Sequence, residues 1–238
     1  MRTITAIAGL LLLIAGALYF YYVRGVGIFP QISAPAAIER GGRVRSYTFG
    51  VSVAMPTPRT EVASAVLADK IYVIGGFDGL GRTVASVEVC DPAIRLWAAG
   101  PDLPAPRHHM TLVTVGNTLY ALGGYTGSGF EPHAEAFALD IGAPSWRAVA
   151  PLPEARGAMA AAPLDGKFFV VGGVGTEGLA NELYVYDTAA DRWEDRRPAP
   201  TRRDHLAAAV SGNVLYLIGG GKHPGLSVSD TVETLEVH

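Results

Sequence analysis

From position 47 onward, apolar residues come in runs of four or five closed by glycine, without the three-to-four spacing of an amphipathic helix. Lys70-Ile71-Tyr72-Val73-Ile74 runs into Gly75-Gly76, and Leu119-Tyr120-Ala121-Leu122 into Gly123-Gly124. Phe168-Phe169-Val170-Val171 runs into Gly172-Gly173, and Leu215-Tyr216-Leu217-Ile218 into Gly219-Gly220. The first glycines of these pairs stand 48, 49 and 47 residues apart. A strand-type run recurring at that period predicts a tandem array of small four-stranded sheets.

Other positions keep the same phase. An arginine lies 16 residues before each first glycine: Arg59, Arg107, Arg156 and Arg203. Trp97, Trp146 and Trp193 lie ten residues before the last three arginines, and Asp91, Asp140 and Asp187 six residues before the tryptophans. Phe49 holds the tryptophan position ten residues before Arg59, so Ser46-Tyr47-Thr48-Phe49 reads as the outer strand of a sheet whose other strands lie elsewhere. Complete sets follow at about 60–99, 108–149 and 157–195, and a last set begins near Asp204 and reaches His238 in what reads as its third strand. Two arrangements satisfy this count. The two partial sets pair in one blade and close a four-bladed ring, removing the exposed sheet edges, or the chain is a fragment of a larger, six-bladed ring.

The arginine after a proline-rich turn, the strand ending in Gly-Gly, and the aspartate and tryptophan at fixed offsets resemble the kelch repeat over roughly residues 47–238. That resemblance implies an all-β propeller of four-stranded blades, about four of them in this chain. A propeller is a scaffold for binders and enzymes alike, so the resemblance specifies fold more closely than function.

Ahead of the repeats, Ile4 to Val23 is an uncharged, mostly apolar run of 20 residues bracketed by Arg2 and Arg24. A helix of that length spans about 30 Å, the thickness of a bilayer's hydrocarbon core. Tyr19-Phe20-Tyr21-Tyr22 stands where an interfacial aromatic belt belongs. The run exceeds a secretory h-region, and the one A-x-A-like site, Ala34-Pro35-Ala36, is distant and holds a proline. Residues 1–23 therefore read as a transmembrane signal anchor and 24–46 as a proline-stiffened linker. The basic N-terminus places the repeats on the extracytoplasmic side, in the periplasm or at the cell surface.

Composition changes this picture little. Twenty-nine glycines and 16 prolines suit short strands and tight turns, and a formal net charge of −3 without a basic cluster gives no footing for nucleic acid. Cys90 is the only cysteine, which excludes an intrachain disulfide, and its apolar strand makes it a buried, inert thiol. No HExxH, GxSxG or phosphate-loop pattern occurs, and no cofactor or metal is expected.

Candidate chemistry concentrates in two loop sets. After the arginines come Thr60-Glu61, His108-His109, Gly157-Ala158 and Asp204-His205; after the diglycines come Phe77-Asp78, Tyr125-Thr126, Val174-Gly175 and Gly221-Lys222. These residues differ between copies, which suits a face that selects. In kelch proteins that bind acidic peptides, these two loop sets make the contacts. The resemblance therefore implies a ligand face of Arg59, Glu61, Phe77, Arg107, His108, His109, Tyr125, Arg156, Arg203, Asp204 and His205. The arginines carry two readings: staples between blades, or planar forks offered to an anionic ligand at the channel mouth. The function expected is non-catalytic recognition of a protein or carbohydrate. The alternative, from bacterial kelch propellers that interconvert sialic-acid anomers, is an extracytoplasmic sugar mutarotase or epimerase in which Glu61, His109, His205 and the arginine ring supply the acid–base groups and the hold on a carboxylate.

Overall fold

A computed structural model describes residues 54–223 and 227–237 of the chain. The anchor, the linker and the Phe49 strand lie outside the described residues. Within them there is no helix, and the strands form successive antiparallel sheets. The first blade runs Ala63–Leu67, Lys70–Ile74, Val87–Asp91 and Leu96–Ala99 in spatial order. The second runs Thr111–Val115, Thr118–Leu122, Ala136–Asp140 and Arg147–Val149. The third runs Ala160–Leu164, Lys167–Val171, Glu182–Asp187 and Arg192–Pro198. The fourth holds three described strands, Ala207–Ser211, Val214–Ile218 and Val232–Glu236. First strands of neighbouring blades pack side by side, first on second, second on third and third on fourth. These strands therefore line a common axis.

The diglycine strand shows why the array holds together. Its side chains alternate between the two neighbouring blades, because successive residues of a strand point to opposite faces. Ile74, Leu122 and Val171, each just before the first glycine, are buried against the following blade. Leu119, Phe168 and Leu215, three positions earlier in their strands, are buried against the preceding one. Each inner blade is thus glued on both faces and each end blade on one, and three apolar clusters fill the three interfaces between four blades. Tyr120 and Phe169 belong to these clusters and Tyr72 packs on one, as expected for aromatics that fill the gaps between blades.

The outer landmarks behave unequally. Trp146 is buried, and its Nε1 donates to the Pro101 carbonyl in the link from the first blade (2.8 Å); Trp193 does the same to Ala150 (3.1 Å). These tryptophans tie a blade's outer strand to the previous link as well as covering the sheet. Asp91 and Asp187 accept backbone N–H bonds from Ala93 and Ala189 in their turns, both at 3.0 Å. Asp140 instead accepts from the Thr118 hydroxyl across the sheet (2.6 Å). Cys90 is buried on the third strand of its blade.

Among the described residues the first and fourth blades make no contact like those between neighbours. Ile71 on the first blade is 36% exposed and Ile218 on the fourth 42%, although their counterparts Leu119 and Leu122 are at most 1% exposed. Among the described residues the four blades form an arc whose two end faces carry exposed apolar side chains. The closed four-bladed ring is not what the described residues form.

A candidate ligand-binding face at the axis

Two backbone devices organise the loops at one end of the arc, and the arginines make the first. Their side chains are 0 to 5% exposed. Each guanidinium plugs into its own blade. Arg59 Nη1 donates to Ser86 O (2.8 Å) and Gly75 O (3.1 Å), and Nη2 lies 2.8 Å from Glu88 Oε2 at an angle suited to an ion pair more than a hydrogen bond. Arg107 meets Glu135 at 3.2 Å. Arg156 meets Glu154 (2.6 Å), Glu182 (3.4 Å) and the Tyr184 hydroxyl (3.0 Å). Arg203 donates to Gly219 O (2.6 Å) and to Glu233 (2.9 Å).

The same residues grip the preceding blade through their backbone. The second glycine of each internal pair donates to the next arginine's carbonyl: Gly76 to Arg107 (2.8 Å), Gly124 to Arg156 (2.9 Å) and Gly173 to Arg203 (2.9 Å). The arginine N–H groups donate back to Val84, His133 and Ala180. Glycine is required here for space: a Cβ on Gly75, Gly123 or Gly172 would fall on the carbonyl oxygen of the next arginine, and all three have positive φ. So Arg107, Arg156 and Arg203 staple adjacent blades through their backbone, while the guanidinium groups of all four arginines, Arg59 included, are engaged within their own blades. A buried guanidinium needs its carboxylate and carbonyls, and it has found them inside the blade.

The second device sits two residues beyond each arginine. Glu61, His109, Ala158 and His205 all adopt left-handed backbone, with φ of 53, 51, 57 and 49°. His109 N donates to Glu61 O (3.2 Å), Ala158 N to His109 O (2.9 Å) and His205 N to Ala158 O (3.0 Å). One backbone conformation, repeated and hydrogen-bonded blade to blade, forms a spiral step around the axis. It carries three different side chains over four positions. Glu61 and His205 are 45% and 53% exposed at the side chain, and His109 only 9%.

Around these steps the rings gather. Glu61 Oε2 lies 3.1 Å from His109 Nε2, and His109 packs edge-on to His205 at 5.3 Å between centroids. His108 is fully buried, 4.1 Å from Phe77 and 5.7 Å from Tyr125 between centroids. Its Nδ1 meets His109 Nδ1 at 2.7 Å, and its Nε2 faces Gly127 O at 3.1 Å. Tyr125 is buried and donates its hydroxyl to Val174 O of the third blade (2.8 Å). Burial lowers the pKa of His108 and His109 below the usual imidazole value, against the opposing pull of Glu61. Burial also pushes the Tyr125 phenol up to about 12, with the charge of Asp204 adding to it. Asp204 is 2% exposed, and its Oδ1 has no hydrogen-bond partner; His205 Nδ1 lies 3.5 Å away. Beside it a cavity of about 260 Å³ is lined by His205, Gly220, Gly221, Ser227, Val228 and Ser229.

Two groups of residues had no expectation attached. Phe130, at the tip of the loop after Tyr125, is 47% exposed and packs on His108, His109 and Tyr125 at 4.9 to 5.5 Å between centroids. The arginine partners Glu88, Glu135, Glu182 and Glu233 fall 13, 12, 10 and 14 residues after their first glycines, so no fixed offset announces them. Among the described residues, no three His, Cys, Asp or Glu side chains are placed to hold a metal ion.

Residues 98–234, more than half of the chain, match the family described as "KLHDC2/KLHL20/DRC7 Kelch-repeats domain", and residues 58–104 match the "Kelch motif". No curated protein matches the chain. Among solved structures it resembles that titled "Structure of YjhT", with 20% sequence identity and a TM-score of 0.67. The alignment covers 79% of this chain and 65% of that one, a likeness of fold.

Proposed function

The chain belongs to the kelch-repeat family, and from that premise we propose that it is a non-catalytic recognition module whose ligand, a protein or a carbohydrate, docks on the loop face around the axis. One observation carries this reading. The spiral of Glu61, His109, Ala158 and His205 keeps its backbone constant from blade to blade while every side chain but the histidines changes. A purely structural position has no need of such variety; a contact surface does. Phe130 adds an exposed aromatic of the kind that anchors interfaces. The apolar run 4–23 supports display of this face outside the cytoplasm on a single-pass anchor.

The test uses the full-length protein, screened against a glycan array and an array of extracellular protein domains. Glu61→Ala and His205→Ala alter exposed side chains, so thermal stability should hold while capture falls by about tenfold. Capture indifferent to both substitutions places the ligand elsewhere and removes the proposal.

Sugar isomerisation keeps one favourable observation, the Glu61–His109 contact, which is an acid–base pair at the mouth. Because the arginines are committed inside their blades, that reading fits a neutral sugar better than an acidic one. Faster anomer exchange of a neutral hexose by NMR, abolished in Glu61→Gln, is its signature; no acceleration across a sugar panel leaves binding alone.

A further inference from the structure

We infer that the mouth selects a basic side chain, a lysine or arginine presented by a protein partner, and rejects acidic ones; this rests on the recognition reading above and gives it a ligand chemistry. Four observations converge on it. The four repeat arginines are buried and paired with carboxylates within their blades, so none of them offers its charge to the face. Two carboxylates flank the mouth instead, Glu61 on the first blade and Asp204 on the fourth. The Asp204 group is almost fully buried with one oxygen lacking any hydrogen-bond partner, a costly arrangement that a donor-bearing guest relieves. Between the two lie ring faces: His109 and His205 at 5.3 Å, with Tyr125 and exposed Phe130 beside them.

The imidazoles do not undo this preference. Buried His108 and His109 resist protonation, so near neutrality they contribute aromatic surface rather than charge. Carboxylates at either side and aromatic faces between them are the two features that hold an ammonium or guanidinium: charge-assisted hydrogen bonds at the head and cation–π contact along the rings. An acidic peptide at the same place meets two negative groups, while the arginine guanidinium groups are already engaged, and like charges brought together at an interface are costly.

The experiment compares fluorescent nonapeptides rich in lysine and arginine with matched peptides rich in glutamate and aspartate, titrated into the full-length protein at low and high salt. Basic peptides should bind at least tenfold tighter than acidic ones, and raised salt should narrow the gap. Glu61→Gln, which keeps shape and loses charge, should weaken basic-peptide binding by about fivefold to tenfold without altering the unfolding midpoint. Asp204→Asn should do the same; if that buried substitution unfolds the protein, Glu61→Gln stands alone as the measure. Acidic or neutral probes that bind better, and still depend on Glu61 or His205, overturn the charge preference while leaving the mouth as the binding site. Basic peptides that bind equally well to Glu61→Gln and His205→Ala overturn both readings, and failure of every basic peptide to bind overturns the charge preference.

Discussion

Leu122-Gly123-Gly124 in the second blade and Ile218-Gly219-Gly220 in the fourth occupy the same place in their sheets and live in different surroundings. Leu122 is buried at 1% exposure under the third blade, while Ile218 stands 42% exposed. A Cβ on Gly123 would strike the Arg156 carbonyl oxygen and crowd Leu152 and Met159; on Gly219 its nearest neighbour is Ser229 O at 3.5 Å. The local sequence is nearly the same. What differs is whether another blade arrives to cover it, so in this architecture a residue's energetic weight is set by its neighbour in the array as much as by its own sheet.

Substitutions at these pairs sharpen the contrast, beginning with the largest effect. Leu122→Ala should lower unfolding stability by about 2–5 kcal/mol, measured by urea denaturation, since it leaves a cavity between two packed sheets. Gly123→Ala should cost about 2–4 kcal/mol, the sum of a left-handed backbone and a collision with fixed main chain. Gly219→Ala, strained by its φ of 65° and free of the collision, should cost only about 1 kcal/mol. Equal losses at Gly123 and Gly219 would break the comparison.

Acid provides a control, because the arginine clamp is present in inner and end blades alike. Burial raises the Glu88 pKa, but hydrogen bonding from Thr57 and the close Arg59 guanidinium outweigh it and hold the carboxyl below its ordinary value. A carboxyl depressed in the folded state contributes stability that is fully present above the unfolded value and is lost as pH falls through the folded one. Stability of the parent should therefore decline below pH 4.5, and Glu88→Gln should flatten part of that limb. The smallest effect belongs to Ile218→Ala, within about 0.5 kcal/mol, as for an exposed site away from any special feature. A loss as large as that of Leu122→Ala would mean the fourth blade's outer face is covered in solution.

Much of this fold was legible in the chain because it depends on local periodicity. The diglycines, the alternating strand between them and the tryptophan positions recur at fixed offsets, and they became blades at those offsets. The ligand face was legible only in part. Glu61, His109 and His205 come together as the spacing suggested. The direction of each guanidinium was not readable, because its carboxylate comes from a segment of varying length: Glu88 and Glu233 serve in the end blades, Glu135 and Glu182 in the inner ones. Phe130 was missed for a related reason, since it sits on a loop with no counterpart of equal length in the third blade.

The hydrogen bond from each internal second glycine to the next arginine has a consequence for how the protein is made. Its acceptor lies 30 to 32 residues downstream. At a synthesis rate of about 5–20 residues per second, each diglycine amide waits roughly 2–6 s for the carbonyl that satisfies it, while the outer half of its sheet is still being made and the side chains that cover its outward surface are still to come. Throughout that interval the newest module is the sticky one, so a nascent chain stalled just past a diglycine should be the most avid client of any chaperone near the exit.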